Sequence, residues 1–149
     1  EQIGTVDLGL GPVGGGGLLA GVSAAIKALS PQTQVIGVEP AGADDAYRSF
    51  YSGERVTEHQ PDTIADGLRT TLGVLNFDMI RRHVDAIVTV DDAAICEAMA
   101  LYMTRAKEVV EPSGIIGLAA IMAGVIDVRA KRVAIILSGG NVDLTRLPW

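Results

Sequence analysis

Apolar and polar positions along this chain repeat with two periods, one of strands and one of helices. Val6-Asp7-Leu8-Gly9-Leu10 alternates and predicts a short strand that runs directly into Gly11-Pro12-Val13-Gly14-Gly15-Gly16-Gly17. Leu18 to Leu29 then repeats at helical spacing, with Leu18, Val22, Ala25, Ile26 and Leu29 as its expected buried face and Lys27 turned to solvent. Ser30-Pro31 stops that helix, and Gln34 to Glu39 is a second strand ended by Pro40. Ala43 to Tyr51 predicts a short helix, followed by a turn at Ser52-Gly53-Glu54-Arg55. From Val56 to Asn76 the pattern is weak, and a connector of that length points to a functional or lid-like segment.

Phe77 to His83 predicts one or two helical turns, and Val84 to Val90 a third strand. Asp91 or Asp92 caps a long helix running to about Val110, with Ile95, Met99, Tyr102, Ala106 and Val109 as its buried stripe. Glu111-Pro112-Ser113-Gly114 breaks it. Ile115 to Ile126 is apolar nearly all round, which predicts a central buried helix. Lys131 to Leu137 is the last strand and carries Ser138-Gly139-Gly140-Asn141 at its C-terminal end. At the other end of the chain, Glu1-Gln2-Ile3-Gly4 reads as the last turn of a helix that starts earlier. Strands alternating with helices predict an α/β fold: a mostly parallel sheet with helices on both faces, in three layers. In such sheets ligands gather beyond the carboxyl ends of the strands, where the glycine loop, Glu39 and Ser138 all fall.

Composition narrows the partners. The 149 residues are 48% hydrophobic and 20% charged, enough apolar content for one domain with a real core. A net charge of −6 argues against nucleic acid, and 4% aromatic content against a base-stacking surface. Apolar runs are interrupted before they reach spanning length, so no membrane partner is expected. The lone Cys96 reads as a small core residue; with no visible leader, it fits a reducing, cytoplasmic setting.

Four consecutive glycines between a strand and an apolar helix leave bare backbone whose N–H groups can converge on an anion, helped by the helix N-terminus. The alternative is a flexible turn. Gly9-Leu10-Gly11-Pro12-Val13-Gly14 also matches the letters of a dinucleotide fingerprint, with Glu39 in the ribose-binding place. Three further glycines after Gly14, and a proline where donors are needed, fit that fingerprint poorly. A phosphate-binding loop of the Gly-Lys-Ser/Thr type is absent. A small-cofactor phosphate fits better, and a phosphate- or dinucleotide-binding domain without catalysis is the competing class.

Six motifs then occur in a telling order. Pro12-Val13-Gly14-Gly15-Gly16-Gly17-Leu18, Val38-Glu39-Pro40, Ala43-Asp44-Asp45, Ile64-Ala65-Asp66-Gly67, Glu111-Pro112-Ser113-Gly114 and Leu137-Ser138-Gly139-Gly140-Asn141 resemble the threonine/serine dehydratase and serine racemase family. That family comprises pyridoxal 5′-phosphate (PLP) enzymes of the tryptophan-synthase β-subunit-like fold, fold type II, and the resemblance covers almost the whole chain. It implies that Gly14, Gly15, Gly16, Gly17 and Leu18 hold the cofactor phosphate, that Gly67 lies beside the ring and that the Ser138 hydroxyl faces the pyridine nitrogen. It implies a divalent-cation site at Glu39, the Ala43 carbonyl and Asp45, whose hard oxygens suit Mg²⁺ or Ca²⁺. Taken alone, Ser138 could be a strand-end turn, Asp44 and Asp45 helix caps, and Glu39 a solvated acid.

The implied activity is elimination from threonine, serine or another 3-hydroxy amino acid to a 2-oxo acid and ammonia, with racemisation as the alternative. A neutral hydroxyl at the ring nitrogen weakens the electron sink relative to an aspartate, which suits elimination. PLP chemistry needs a lysine, and the chain's three, Lys27, Lys107 and Lys131, are poorly placed: an exposed helix, a solvated helix position and the wrong end of the last strand. The family's Ser-x-Lys motif, its substrate-carboxylate loop and its small domain have no counterpart here. The resemblance thus implies a C-terminal part that works with an N-terminal part of the same enzyme, in a homo-oligomer. His59 and His83 lack metal-like spacing and read as surface or satisfied polar residues.

Overall fold

The computed structural model describes residues 4–149; apart from Gly4, the expected helix end at the start of the chain lies outside them. Four parallel strands form one sheet in the order β3-β2-β1-β4: β1 Leu8–Pro12, β2 Gln34–Pro40, β3 Ala86–Val90 and β4 Val133–Ile135. Between them lie α1 Gly17–Leu29, α2 Asp45–Ser52, α3 Val74–His83, α4 Asp92–Ala106 and α5 Pro112–Met122, with a 3-10 turn at Asp66–Leu68. The α/β reading with helices on both faces therefore holds.

Strand alternation sorts the two cores. Leu8 and Leu10 of β1 and Val38 of β2 face α4 and α5, joining Ile95, Met99, Ile115, Ile116 and Ala119. Val35 and Ile87 point the other way, into a second cluster with Leu19, Ala46, Leu72 and Ile80 from the side of α1, α2 and α3. Gly37 belongs to this second face, where a Cβ would stand 2.8 Å from both Leu19 and Val13; its bareness lets α1 lie close on the sheet. The chain walks from β1 to β3 under α1, α2 and α3, then returns beneath α4 and α5 to β4. Neighbouring β1 and β4 are thus entered from opposite faces, the switch point at which such sheets open a crevice.

Several element details differ from the sequence expectation. Strand β1 begins two residues later than predicted, at Leu8. The buried side of α1 is Leu19, Ala20 and Ser23, whereas Leu18 and Leu29 are exposed. Ser23 is tolerated inside because its hydroxyl donates to the Ala20 carbonyl at 3.1 Å, so a polar letter hid a core position. Lys27 is not free in solvent: its Nζ reaches Asp85 at 2.7 Å and the Thr33 carbonyl at 2.9 Å. Helix α4 stops at Ala106 because Lys107 takes the left-handed conformation (φ 63°), so Lys107 ends the helix and Val109 lies exposed beyond it. The Asp91 carboxylate accepts from the Ala94 amide and caps α4. Pro112-Ser113-Gly114 is no break but the first turn of α5, proline occupying a position that needs no donor. Strand β4 keeps only three of the seven residues expected. Among the described residues no helix is long and apolar enough to cross a membrane.

Candidate cofactor and cation sites

At the carboxyl ends of β1 and β4 a pocket of about 240 Å³ is lined by Pro12 to Leu18, by Gly67 and Leu68, by Glu111 and Ser113 at the start of α5, and by Ser138 after β4. Gly14, Gly15, Gly16, Gly17, Leu18, Gly67 and Ser138 are therefore brought together from three distant stretches of sequence.

The four loop glycines serve different ends. Gly14 and Gly16 have φ of 49° and 84°, the left-handed region that a side chain disfavours. A Cβ on Gly16 would also stand 2.5 Å from Leu72 Cδ1. Gly15 and Gly17 have neither constraint: a Cβ would meet nothing nearer than 3.4 Å and 3.9 Å respectively. The protein's own packing thus leaves the bareness of these two unexplained, and both face the pocket. The Gly15 carbonyl accepts from the Gly73 amide at 3.1 Å and Asn76 Nδ2 at 2.7 Å, which pins the loop to α3. The Gly16 amide is taken by the Val13 carbonyl at 2.8 Å, so Gly16 shapes the loop rather than donating into the pocket. First-turn amides of α1, those of Gly17 and Leu18, lack intrahelical acceptors as at any helix start.

The far wall is built by residues that the sequence reading did not assign. Ser113, buried at the N-terminus of α5, accepts the Gly67 amide on its Oγ at 3.0 Å and so ties the Asp66–Leu68 turn to α5. Glu111 accepts the Asn141 amide at 2.9 Å while its own amide donates to the Gly139 carbonyl at 3.1 Å. These bonds fasten the Ser138-Gly139-Gly140-Asn141 loop over the pocket. Glu111 and Ser113 were visible only as letters of a motif. None of Lys27, Lys107 or Lys131 lines the pocket; Lys27 and Lys131 lie near the amino ends of the strands.

Residues 1–139 match the family described as pyridoxal-phosphate dependent enzyme. The chain belongs to that family. It is 42% identical over its whole length to a β-hydroxyaspartate dehydratase of Paracoccus denitrificans (strain Pd 1222), covering 47% of that protein. It is 45% identical to a serine racemase of Dictyostelium discoideum, with 99% of this chain and 47% of the relative aligned. Among solved structures, a T.th. threonine deaminase superposes with a TM-score of 0.87 at 50% identity, over 93% of this chain and 51% of the other. A maize serine racemase gives 0.90 at 42% identity, over 97% and 47%. The chain spans about half the length of these relatives.

A second cluster lies at the end of β2. Glu39 and Asp45 are both fully buried, which removes the solvated-acid reading of Glu39; Asp44 holds the cap position of α2 without a capping bond from its side chain, and Asp45 is the first residue inside the helix. Glu39 Oε2 accepts from the Tyr47 amide at 2.7 Å, and Asp45 Oδ2 from the Leu72 amide at 2.8 Å. Their other oxygens, Glu39 Oε1 and Asp45 Oδ1, have no hydrogen-bond partner. Ala43, 1% exposed, sits in the turn between them. Among the described residues no backbone amide donates to its carbonyl. Burial pushes the Glu39 carboxyl up to about 8, with the Asp45 charge adding to it, and burial likewise raises Asp45. Two desolvated carboxyls each with an unused oxygen are a donor set short of positive charge, so these residues fit a hard divalent cation. Among the described residues no three acid, imidazole or thiol side chains converge on one point, so such an ion would rest on two carboxylates, a carbonyl and water.

Glu39 holds its proton more tightly folded than unfolded, so its contribution to stability is fully present below about 4.5 and is lost as pH rises towards about 8. In the presence of a chelator, the melting temperature of the parent should fall across that window, and Glu39→Gln should flatten the slope. An identical slope in the two proteins would mean that Glu39 does not titrate in the interior.

His59 corrects the surface reading: its ring is 6% exposed and Nε2 lies 3.5 Å from Asp45 Oδ1. His83 is satisfied by the Met79 carbonyl, 2.9 Å from Nδ1. Cys96 is half-buried on α4.

Proposed function

We propose that this chain is the C-terminal part of a PLP enzyme that eliminates water from threonine, serine or a related 3-hydroxy amino acid to leave an enamine, which water then hydrolyses to a 2-oxo acid and ammonia. The observation that carries the reading is the pocket between the glycine loop and Ser138 in a chain of this family. Bound PLP supplies the electron sink that lets the substrate Cα proton leave. The glycine loop and the first-turn amides of α1 hold its phosphate, with no positively charged side chain lining the pocket. Gly67 flanks the ring, and Ser138 offers a neutral hydroxyl to the pyridine nitrogen, which keeps the sink modest and favours prompt departure of the β-hydroxyl. Glu39, the Ala43 carbonyl and Asp45 hold Mg²⁺ or Ca²⁺, which neutralises the buried carboxylates and fixes the β2–α2 turn.

Racemisation is the second reading, supported by the serine racemase relatives, which match as well as the dehydratase does. Both reactions begin with loss of the Cα proton and diverge afterwards. The lysine that takes this proton and the residues that read the substrate belong, in this proposal, to the N-terminal part of a cytoplasmic homo-oligomer. The deciding experiment supplies the complete enzyme with L-serine, L-threonine and a 3-hydroxyaspartate, and measures 2-oxo acid, ammonia and the D-enantiomer. Oxo acid and ammonia in excess of D-product are expected; D-product alone would make it a racemase.

Residues 1–149 by themselves should release no ammonia. Turnover with stoichiometric borohydride trapping at Lys27, Lys107 or Lys131 would overturn the two-part reading.

A further inference from the structure

Four buried side-chain atoms among the described residues lack a hydrogen-bond partner, and all four belong to one place: Glu39 Oε1, Asp45 Oδ1 and both ring nitrogens of His59. Buried polar atoms are almost always paired, so a cluster of orphans marks a missing water or ion. Acids alone would say only that positive charge is wanted. The imidazole adds an independent observation, because a ring that gives up two nitrogens to the interior without a hydrogen bond incurs a desolvation cost.

Local backbone bonds explain how the ring gets there. The segment after α2 folds back over the start of that helix: the Val56 amide donates to Ser49 Oγ at 2.9 Å and the Asp62 amide to the Gly42 carbonyl at 2.8 Å. His59 lies between these two anchors and is carried onto Asp45 without a bond of its own. The Nε2 to Asp45 Oδ1 separation of 3.5 Å is too long for a good hydrogen bond. Three side chains do not converge on one point, so the ring does not complete an inner set of ligands.

We infer that His59 is an outer member of a hydrated divalent-cation site, its ring nitrogen accepting a hydrogen bond from a water bound to an ion held by Glu39, the Ala43 carbonyl and Asp45. The inference rests on the cation reading above and adds a residue to it. An outer partner orients the water, which in turn holds the ion in a shell that the protein only half fills. The segment from 56 to 62 thereby becomes a cover whose seat depends on the ion.

The test uses the complete enzyme, stripped with a chelator and titrated with Mg²⁺, Ca²⁺ or Mn²⁺, with melting temperature as the readout so that no turnover is needed. His59→Phe should weaken the apparent affinity by about tenfold or more, in the range typical of outer-shell losses. His59→Gln, whose amide oxygen can accept from the same water, should recover much of it. Pulsed electron paramagnetic resonance of the Mn²⁺-loaded parent should show a weakly coupled nitrogen that His59→Gln removes, which covers the case of a phenylalanine variant that does not fold. A strongly coupled nitrogen would overturn the outer placement in favour of a direct bond. Equal cation affinity in parent, Phe and Gln variants would overturn the role of His59 while leaving the cation site standing. No cation response in the parent, with Asp45→Asn unchanged from it, would remove both.

Discussion

Gly16→Ala in the complete enzyme should lower both the melting temperature and PLP binding, whereas Gly17→Ala should lower only PLP binding. At Gly16 the φ of 84° costs a side chain about 1–3 kcal/mol. The new Cβ would also press on Leu72 Cδ1 at 2.5 Å, and on Asn76 Cβ and Ile80 Cδ1 at 3.0 Å. Leu72 and Ile80 are fully buried in the second core, so they cannot swing out, and overpacking adds about 1–3 kcal/mol. At Gly17 the nearest atom to a Cβ is 3.9 Å away and the backbone is helical, so the apo fold should tolerate alanine or gain slightly. Any loss of cofactor there must come from the ligand's side of the loop. The measurement pairs thermal melts of the apo proteins with absorbance titrations of PLP. Parental PLP affinity in Gly17→Ala would show that the bare backbone is not a phosphate cradle.

Ser138→Asp should change which reaction the complete enzyme performs. An aspartate at the proposed ring-nitrogen position is an anion that favours protonation of that nitrogen, and a protonated ring is the stronger electron sink. Elimination of the β-hydroxyl should fall, while exchange of the Cα proton with solvent deuterium and transamination should rise relative to it. Ser138→Ala should move the ratio less, because it removes a hydrogen bond of about 1 kcal/mol without supplying a charge. Fastening of the Ser138 loop by the Glu111 carboxylate, which accepts from the Asn141 amide, involves no side chain at 138 and should survive both substitutions. The readout is the ratio of deuterium exchange to 2-oxo acid formed. An unchanged ratio in Ser138→Asp, with PLP still bound, would mean that residue 138 does not face the ring nitrogen.

Some readings needed nothing beyond the order of residues. Alternation in Leu8 to Leu10 and Gln34 to Glu39, punctuated by Ser30-Pro31, is enough for a strand, a helix and a parallel strand, because side-chain period and turn chemistry are local properties. The glycine run told of bare backbone, and the ordered motifs told of the family to which the chain belongs. Local pattern also found Asp91 as the α4 cap, since the acceptor and its amide are three residues apart.

Other features depend on contacts between distant residues, which no local period records. The buried face of α1 turned on Ser23 closing a bond to its own helix, and on a glycine in β2 admitting Leu19. The wall made by Glu111 and Ser113 exists only because β4 returns beside β1 and brings Gly139 to the start of α5. His59 looked like a loop histidine by every sequence measure, and it is the bonds from the Val56 amide to the Ser49 hydroxyl and from the Asp62 amide to the Gly42 carbonyl that carry it into the interior beside Asp45. Sequence determined the elements, the glycine loop and the acids at the end of β2, because those follow from residue type and short spacing. Tertiary structure alone decided which glycines are sterically required, which acids are desolvated and which histidine joins them, because burial and unpaired atoms are properties of the folded assembly.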